Sequence, residues 1–269
     1  MEAYSDLILV RGAGDLASGT IHALAKAGKR VIALESGKPS SIRREVSFSE
    51  AVYDGEKTVE GVTAVLAASP EEALSLAVPG RPAVLADPSC RILKICRPCV
   101  LIDAILAKRN LGTGRDMALL TIALGPGFEA GKDADYVIET MRGPELGRIL
   151  EKGCALADTG IPGMVGGFSA ERVIHAPAAG VLKAVRRIGD RVERGECIAR
   201  VEAAQETVPV AASLTGILRG LIREGFAVEK GLKIADIDPR PDSRPLCFQI
   251  SDKSRRIAGS VLEILQKGG

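Results

Sequence analysis

The sequence predicts an α/β fold in which a parallel sheet flanked by helices is followed by a small β-barrel and a closing helix. Three observations predict it. The chain opens on an apolar run that ends in a glycine turn and a helix. Short apolar runs then alternate with helical stretches as far as residue 124, and between residues 172 and 239 a pattern of short strands and glycine turns occurs twice. At 269 residues, 46% apolar and 26% charged, the chain is long enough for more than one core. The expected domains are 1–170, 171–239 and 240–269, the last a strand and helix that return to the first.

Residues 7–10 are a short apolar run of the kind found in buried parallel strands. Gly12-Ala13-Gly14-Asp15-Leu16-Ala17 follows, then a helix over 15–27 with Leu16, Ile21, Leu24 and Ala25 at helical spacing and Gly28 as its stop. Residues 31–34 form the second strand, with Glu35 at its carboxyl end. Residues 62–66 read as a strand, and Ser69-Pro70-Glu71-Glu72 as a helix start with a cap, a proline and acids in the first turn. Residues 83–86, 100–103 and 119–124 are further strands. This alternation implies a parallel sheet covered by helices.

The duplication runs from His175-Ala176-Pro177 through Gly180 to Gly189-Asp190-Arg191-Val192-Glu193-Arg194-Gly195. It resumes from Val210 through Gly216 to Gly225-Phe226-Ala227-Val228-Glu229-Lys230-Gly231. Two copies about thirty-six residues apart suggest a barrel with a pseudo-twofold axis. Beyond a proline-rich linker, residues 246–250 read as a last strand. Ser251-Asp252-Lys253-Ser254 then opens a helix whose Ile257, Val261, Ile264 and Leu265 make an apolar face that the first domain would cover.

A net charge of +2, 3% aromatics and no Trp argue against a nucleic-acid binder. The local pairs Arg186-Arg187, Arg255-Arg256 and Lys108-Arg109 have acids nearby and read as solvated faces. No apolar run reaches the roughly 20 residues of a membrane span, and the N-terminus lacks a basic leader, so the expected location is the cytoplasm with no membrane partner. Of six cysteines, Cys96 and Cys99 have C-x-x-C spacing, but no second pair or histidine completes a metal site; buried free thiols are expected and no metal.

Three clusters carry the candidate chemistry. Gly12-x-Gly14-x-x-Ala17 between strand and helix matches the dinucleotide fingerprint of Rossmann-like domains. Gly12 makes the turn, Gly14 lets backbone approach a phosphate, Ala17 permits close packing, and the helix N-terminus offers N–H groups to an anion. Glu35 stands where an acid bonds a ribose hydroxyl. Asp15 suits the helix but opposes a pyrophosphate, and a plain packing turn with Asp15 as cap is the competing reading. The second cluster is Asp103, Lys108, Arg109 and Asn110 with Gly112-Thr113-Gly114. The third is Gly125-Pro126-Gly127-Phe128 followed by Glu139, Thr140, Arg142 and Gly143, in which turn N–H groups can form an anion nest. His22 and His175 lie in no nucleophile–base–acid pattern, so no catalytic residue is assigned.

The run Leu124-Gly125-Pro126-Gly127-Phe128-Glu129-Ala130-Gly131, with Glu139-Thr140-x-Arg142-Gly143 and Leu146-Gly147-Arg148, closely resembles the signature of the XdhC/CoxF family. Leu101-Ile102-Asp103-Ala104 and Lys108-Arg109-Asn110 look like its YqeB-type branch, associated with selenium-dependent molybdenum hydroxylases. The resemblance implies a maturation factor that binds molybdenum cofactor, assists its sulfuration or selenation and inserts it into an apo-hydroxylase. Its implied partners are that hydroxylase and a cysteine desulfurase or selenium donor, and a homodimer is left open. Members usually carry a histidine where this chain has Asp15. The duplicated segment resembles the biotinyl/lipoyl hammerhead, with Glu202-Ala203-Ala204-Gln205-Glu206 where carriers hold their lysine. Gln205 cannot form the carrier amide, which implies a docking or spacer module. Two cofactors stay open, molybdopterin/molybdenum cofactor and NAD(P). The competing function is an NAD(P)-binding oxidoreductase; an accessory cofactor-handling protein is favoured over a stand-alone enzyme.

Overall fold

The computed structural model describes residues 2–267. The chain divides into two compact units. Unit 1 comprises Met1–Pro39, Ser47–Thr159 and Ile250–Gly269, and unit 2 comprises Ser40–Val46 and Gly160–Gln249.

The strands of unit 1 are β1 (Glu2–Arg11), β2 (Arg30–Glu35), β3 (Glu56–Val59), β4 (Val62–Ala67), β5 (Ala83–Ala86), β6 (Cys96–Asp103), β7 (Leu120–Leu124), β8 (Glu129–Ala130), β9 (Tyr136–Ile138), β10 (Ile149–Leu150) and β11 (Gly153–Cys154). Its helices are α1 (Asp15–Lys26), α2 (Ala51–Asp54), α3 (Pro70–Leu76) and α4 (Asp252–Lys267). β8 and β11 pair apart, and the other nine strands share one sheet in the order β10-β9-β7-β6-β1-β2-β5-β4-β3. The inner strands are buried on both faces, with Leu7, Leu9, Ile32 and Leu85 in one cluster, as parallel strands covered by helices require.

The sheet is mixed, which corrects the expectation of a parallel one. β3 pairs antiparallel with β4 at one edge, and β10 with β9 at the other. The physical reason at the first edge is a two-residue turn, Glu60-Gly61, with φ of 45° and 78° at both centres, which folds the chain straight back as a hairpin.

α1 ends as its glycine predicts. Gly28 (φ 69°) donates to Ala25 O and Lys29 to Leu24 O, the double bond of a Schellman stop. α4 buries Ile257, Val261 and Ile264 and crosses α1 closely. Ser254 Oγ donates to Asp15 O (3.1 Å) and Leu16 O (2.9 Å). Gly19 is needed there, since a Cβ on it would stand 2.2 Å from that hydroxyl. Glu60 pins the start of α4 by accepting from Ile250 N–H at 2.9 Å and from the Arg255 guanidinium at 2.6 and 2.7 Å.

Unit 2 contains β12 (Val173–His175), β13 (Gly180–Ala184), β14 (Arg191–Val192), β15 (Cys197–Glu202), β16 (Thr207–Ala211), β17 (Gly216–Leu221), β18 (Ala227–Val228) and β19 (Lys233–Asp238). These form two antiparallel sheets, β12-β19-β17-β14 and β16-β15-β13-β18. The expected small barrel is therefore corrected to two four-stranded sheets around a core that includes Leu182, Ile198, Val201, Leu218 and Ile237. Each sheet draws strands from both sequence copies: two-residue β14 of the first pairs with β17 of the second, and β18 of the second with β13 of the first. Among the described residues these short edges pair with no further strand, so neither sheet closes on itself. Ile42 joins β17 by accepting the Leu221 N–H at 2.8 Å.

Residues 246–250 are not the expected strand. Arg244–Phe248 forms a 3-10 turn instead, with Pro245, which has no N–H to give a ladder, in its first turn. Among the described residues no helix is long and apolar enough to cross a membrane.

Candidate functional site

β1 lies between β2 and β6, so the chain runs outward from β1 first to one side and then to the other. Such a switch point leaves a crevice at the carboxyl ends of the two diverging strands, where open α/β sheets bind their ligands. Here the turn after β1 and the loop after β6 stand at those strand ends. Gly12 adopts φ +97°, and a Cβ on it would lie 3.0 Å from the Ala104 carbonyl oxygen. The two loops therefore touch through backbone. Glu35, at the end of β2, turns toward this turn. One oxygen accepts the Ala13 N–H at 2.8 Å and the other the Ser36 N–H at 2.6 Å. Gly14 begins α1 with no side-chain cap, Asp15 is in the first turn, and Ala17 is buried.

The loop after β6 is built by a buried polar network. Arg11, at the end of β1, forms an ion pair with Asp103 at 3.2 Å, and both are nearly inaccessible, at 4% and 1% exposure. Arg11 also donates to Thr113 Oγ1 and to Leu111 O (3.2 Å), while Thr113 Oγ1 donates to Asp103 at 2.6 Å. Asn110 Oδ1 accepts the N–H groups of Gly112 and Thr113, and its Nδ2 donates to Thr113 O. Asp103 and Asn110 thus shape the loop. Leu106 and Lys108 take left-handed conformations (φ 59° and 64°), a strain that non-glycine residues keep only where surroundings enforce it. The Lys108 ammonium pairs with Asp158 at 2.6 Å.

The turn after β7 packs onto this loop. Gly127 (φ +100°) sits so close that a Cβ would meet Arg109 Cα at 2.5 Å. Gly125 (φ +81°) lies beneath Thr140, whose Oγ1 would be 2.7 Å from a Cβ. Pro126 between them is half-buried. Phe128 is buried in a small cluster with Ala123, Ala130 and Val137. Glu139 is 3% exposed and binds the N–H groups of Met141 and Leu156 at 2.7 Å each, and Thr140 is buried beside it. Arg142 forks onto Asp252 with two 2.8 Å bonds, and Gly143 is exposed with φ +144°.

α4 adds a residue that the sequence reading missed. Lys253 is half-buried next to Ser254, which bonds the first turn of α1. Burial, followed by the nearby Arg142, pushes the Lys253 ammonium below its ordinary pKa, with Asp15, Glu139 and Asp158 opposing from around it. One sequence signal was present. A lysine in the first turn of a helix works against the helix dipole, so its position there serves something other than the helix.

The strand ends therefore bring together the three predicted clusters, with Asp15, Glu139, Arg142 and Lys253 nearest one another electrostatically. Glu35, Asp103 and Asn110 are engaged with backbone. Cys90 lies beside the Arg11–Asp103 pair, where burial pushes its thiol up, and Cys96 and Cys99 lie on β6. Cys99 donates to Leu7 O at 3.0 Å, and burial pushes the Cys96 thiol up to about 11. His22 meets Glu60 O at 3.3 Å, and His175 is exposed on β12. Among the described residues no group of three metal-ligating side chains occurs.

No family model matches the chain. A curated protein of Escherichia coli (strain K12), described as an uncharacterized protein YqeB, is 50% identical over 259 residues. The match covers 96% of this chain and 47% of that protein, so the chain spans about half the length of the curated relative it matches. Among solved structures, an aspartoacylase family protein from Mesorhizobium loti is 14% identical with a TM-score of 0.30, covering 89% of this chain and 87% of that one. The ectoine utilization protein EutE from Ruegeria pomeroyi, product-bound, is 13% identical with a TM-score of 0.30, covering 88% and 86%. A succinylglutamate desuccinylase from Silicibacter sp. TM1040 is 14% identical with a TM-score of 0.28, covering 88% and 85%. Likeness this low carries no argument about the present chain. The resemblance to the XdhC/CoxF family is corrected by these findings. No family model supports it and the curated relative is described only as uncharacterized, so the molybdenum-hydroxylase vocabulary attached to it loses its ground.

Proposed function

We propose that unit 1 binds a small phosphate-bearing ligand at the carboxyl edge of its sheet, seated on the first turn of α1. The observation that carries this reading is the meeting of an uncapped helix N-terminus with Lys253 at the topological switch point. The N–H groups of such a turn attract an anion, and the half-buried ammonium adds charge where water screens it little. Arg142 lends a second cation nearby, although Asp252 already holds its fork. Asp15 and Glu139 limit the negative charge the ligand can carry, which favours a single phosphate over a dense cluster of them.

Molybdopterin and NAD(P), the two cofactors left open by the sequence, both carry the required phosphate. The glycine turn favours the dinucleotide, yet its ribose would have to share Glu35 with two backbone N–H groups. The domain's role is binding rather than turnover, and its setting is the cytoplasm, in keeping with six free cysteines. Calorimetric titration of the full chain with molybdopterin, NAD and NADP tests the reading. Saturable heat from one of them is expected, and Lys253→Ala should weaken it about tenfold. Absence of heat from all three, or equal affinity in the variant, would remove it.

A further inference from the structure

The duplication in unit 2 supplies its own control. Gly189, Val192 and Gly195 of the first copy match Gly225, Val228 and Gly231 of the second. The backbone is the same in both, with φ of 94° and 80° at the first glycine and 87° and 86° at the last. Val192 and Val228 are buried alike. Five positions on this shared scaffold (186, 188, 190, 191 and 196) differ in kind, and three of them line the recess, whereas Glu193 and Arg194 keep their charge as Glu229 and Lys230. Arg186, Arg191 and Glu196 stand where the second copy has Ile222, Ala227 and Leu232. In the second copy Ile222 is fully buried and Leu232 packs against the core. The fold therefore does not demand charge at these places.

In the first copy these residues line an open recess of about 570 Å³, together with Glu193 and Arg194, a size in the usual range for small-ligand sites. Glu196 is committed: its carboxylate accepts from Arg186 Nε at 2.6 Å and from the Glu193 N–H at 2.9 Å. Those bonds hold its carboxyl below the ordinary range, the Glu193 N–H first and Arg186 next. The backbone at Arg194 is fixed by its N–H, which donates to Thr215 Oγ1 at 3.1 Å. Arg191, on β14, and Arg194 are exposed residues lining the recess, and Glu193 is exposed beside them.

We infer that this recess is a second binding site, for a soluble phosphate-bearing small molecule gripped by Arg191 and Arg194, with Arg186 and Glu196 as its fixed wall. A planar guanidinium meets phosphate through two parallel bonds, so two of them suit a diphosphate group. Glu193 is placed to weaken the grip and so to set the affinity.

The test is calorimetric titration of the full chain with pyrophosphate at low ionic strength, repeated on the Lys253→Ala background so that the recess is read alone. Saturable binding is expected in both. The double variant Arg191→Ala/Arg194→Ala should bind about tenfold more weakly or worse, and Glu193→Gln several-fold more tightly, with unchanged circular dichroism. Vesicles containing phosphatidic acid separate a lipid headgroup from a free phosphate. No heat from pyrophosphate, equal affinity in the double variant, or retention on vesicles without pyrophosphate binding would overturn the inference.

Discussion

In unit 1 the charges that meet at the strand ends belong to residues 15, 139, 142, 158 and 253, whereas in unit 2 the recess is lined within the single run 186–196. The first arrangement depends on tertiary structure, because it exists only when α4 docks on α1 and three loops stack backbone to backbone. The second depends on local chain geometry, repeated in a copy where Arg186, Arg191 and Glu196 give way to Ile222, Ala227 and Leu232. The contrast teaches that unit 1 should be brittle at its loop contacts, while unit 2 should tolerate change at equivalent turns.

The largest expected effect is at the buried Arg11–Asp103 pair at the ends of β1 and β6. Asp103→Ala leaves Arg11 charged and buried, and should cost about 3–5 kcal/mol in urea denaturation. A loss below about 1 kcal/mol would mean that the loop after β6 does not depend on that pair.

Glycines sharpen the comparison next. Gly127 of unit 1 and Gly225 of unit 2 both have positive φ, but a Cβ on the first meets Arg109 Cα at 2.5 Å and on the second meets nothing within 4 Å. Gly127→Ala should cost about 3 kcal/mol, from strain and backbone clash together, and Gly225→Ala about 1 kcal/mol from φ alone. Equal thermal shifts, measured on each unit's own transition, would erase the proposed difference.

A smaller effect is the pH dependence that Lys253 gives unit 1. Burial disfavours the charged form of Lys253, so the folded chain carries a penalty below the lowered pKa, and it fades as pH rises toward the ordinary value. Ligand affinity takes the opposite sense. It should be full while the ammonium is charged and fall as pH climbs through the lowered pKa. Lys253→Arg, which stays charged, should flatten that profile below the ordinary lysine value in fluorescence or calorimetric titrations.

Legibility in the sequence follows the same division between local and distant. β1, its glycine turn, α1 with its Gly28 stop, and β2 are one continuous local pattern and can be read directly. The β3–β4 hairpin escapes because Glu60-Gly61 is not a usual hairpin dipeptide, although its φ values are those of one. The duplicated strands are visible, but their exchange between two sheets is not, since spacing does not say that β14 pairs with β17. Residues 246–250 read as a strand because they follow a proline-rich linker as a short, largely apolar run, and Pro245 just before them is the signal against it. At the site, Asp103, Asn110 and Glu139 are legible as polar residues after strands. That they bond backbone emerges only from the fold, as does Lys253, whose neighbours Asp15 and Arg142 lie over a hundred residues away.

The most direct measurement is amide chemical-shift mapping of the full chain, first with pyrophosphate and then with the phosphate-bearing ligand that calorimetry selects. With that ligand, the amides of Gly14, Asp15, Leu16, Thr140 and Arg142 are expected to shift together and to lose the response in Lys253→Ala. Pyrophosphate should move Arg191 and Arg194 in both proteins. Shifts restricted to unit 2 with every ligand would contradict a binding site at the strand ends of unit 1.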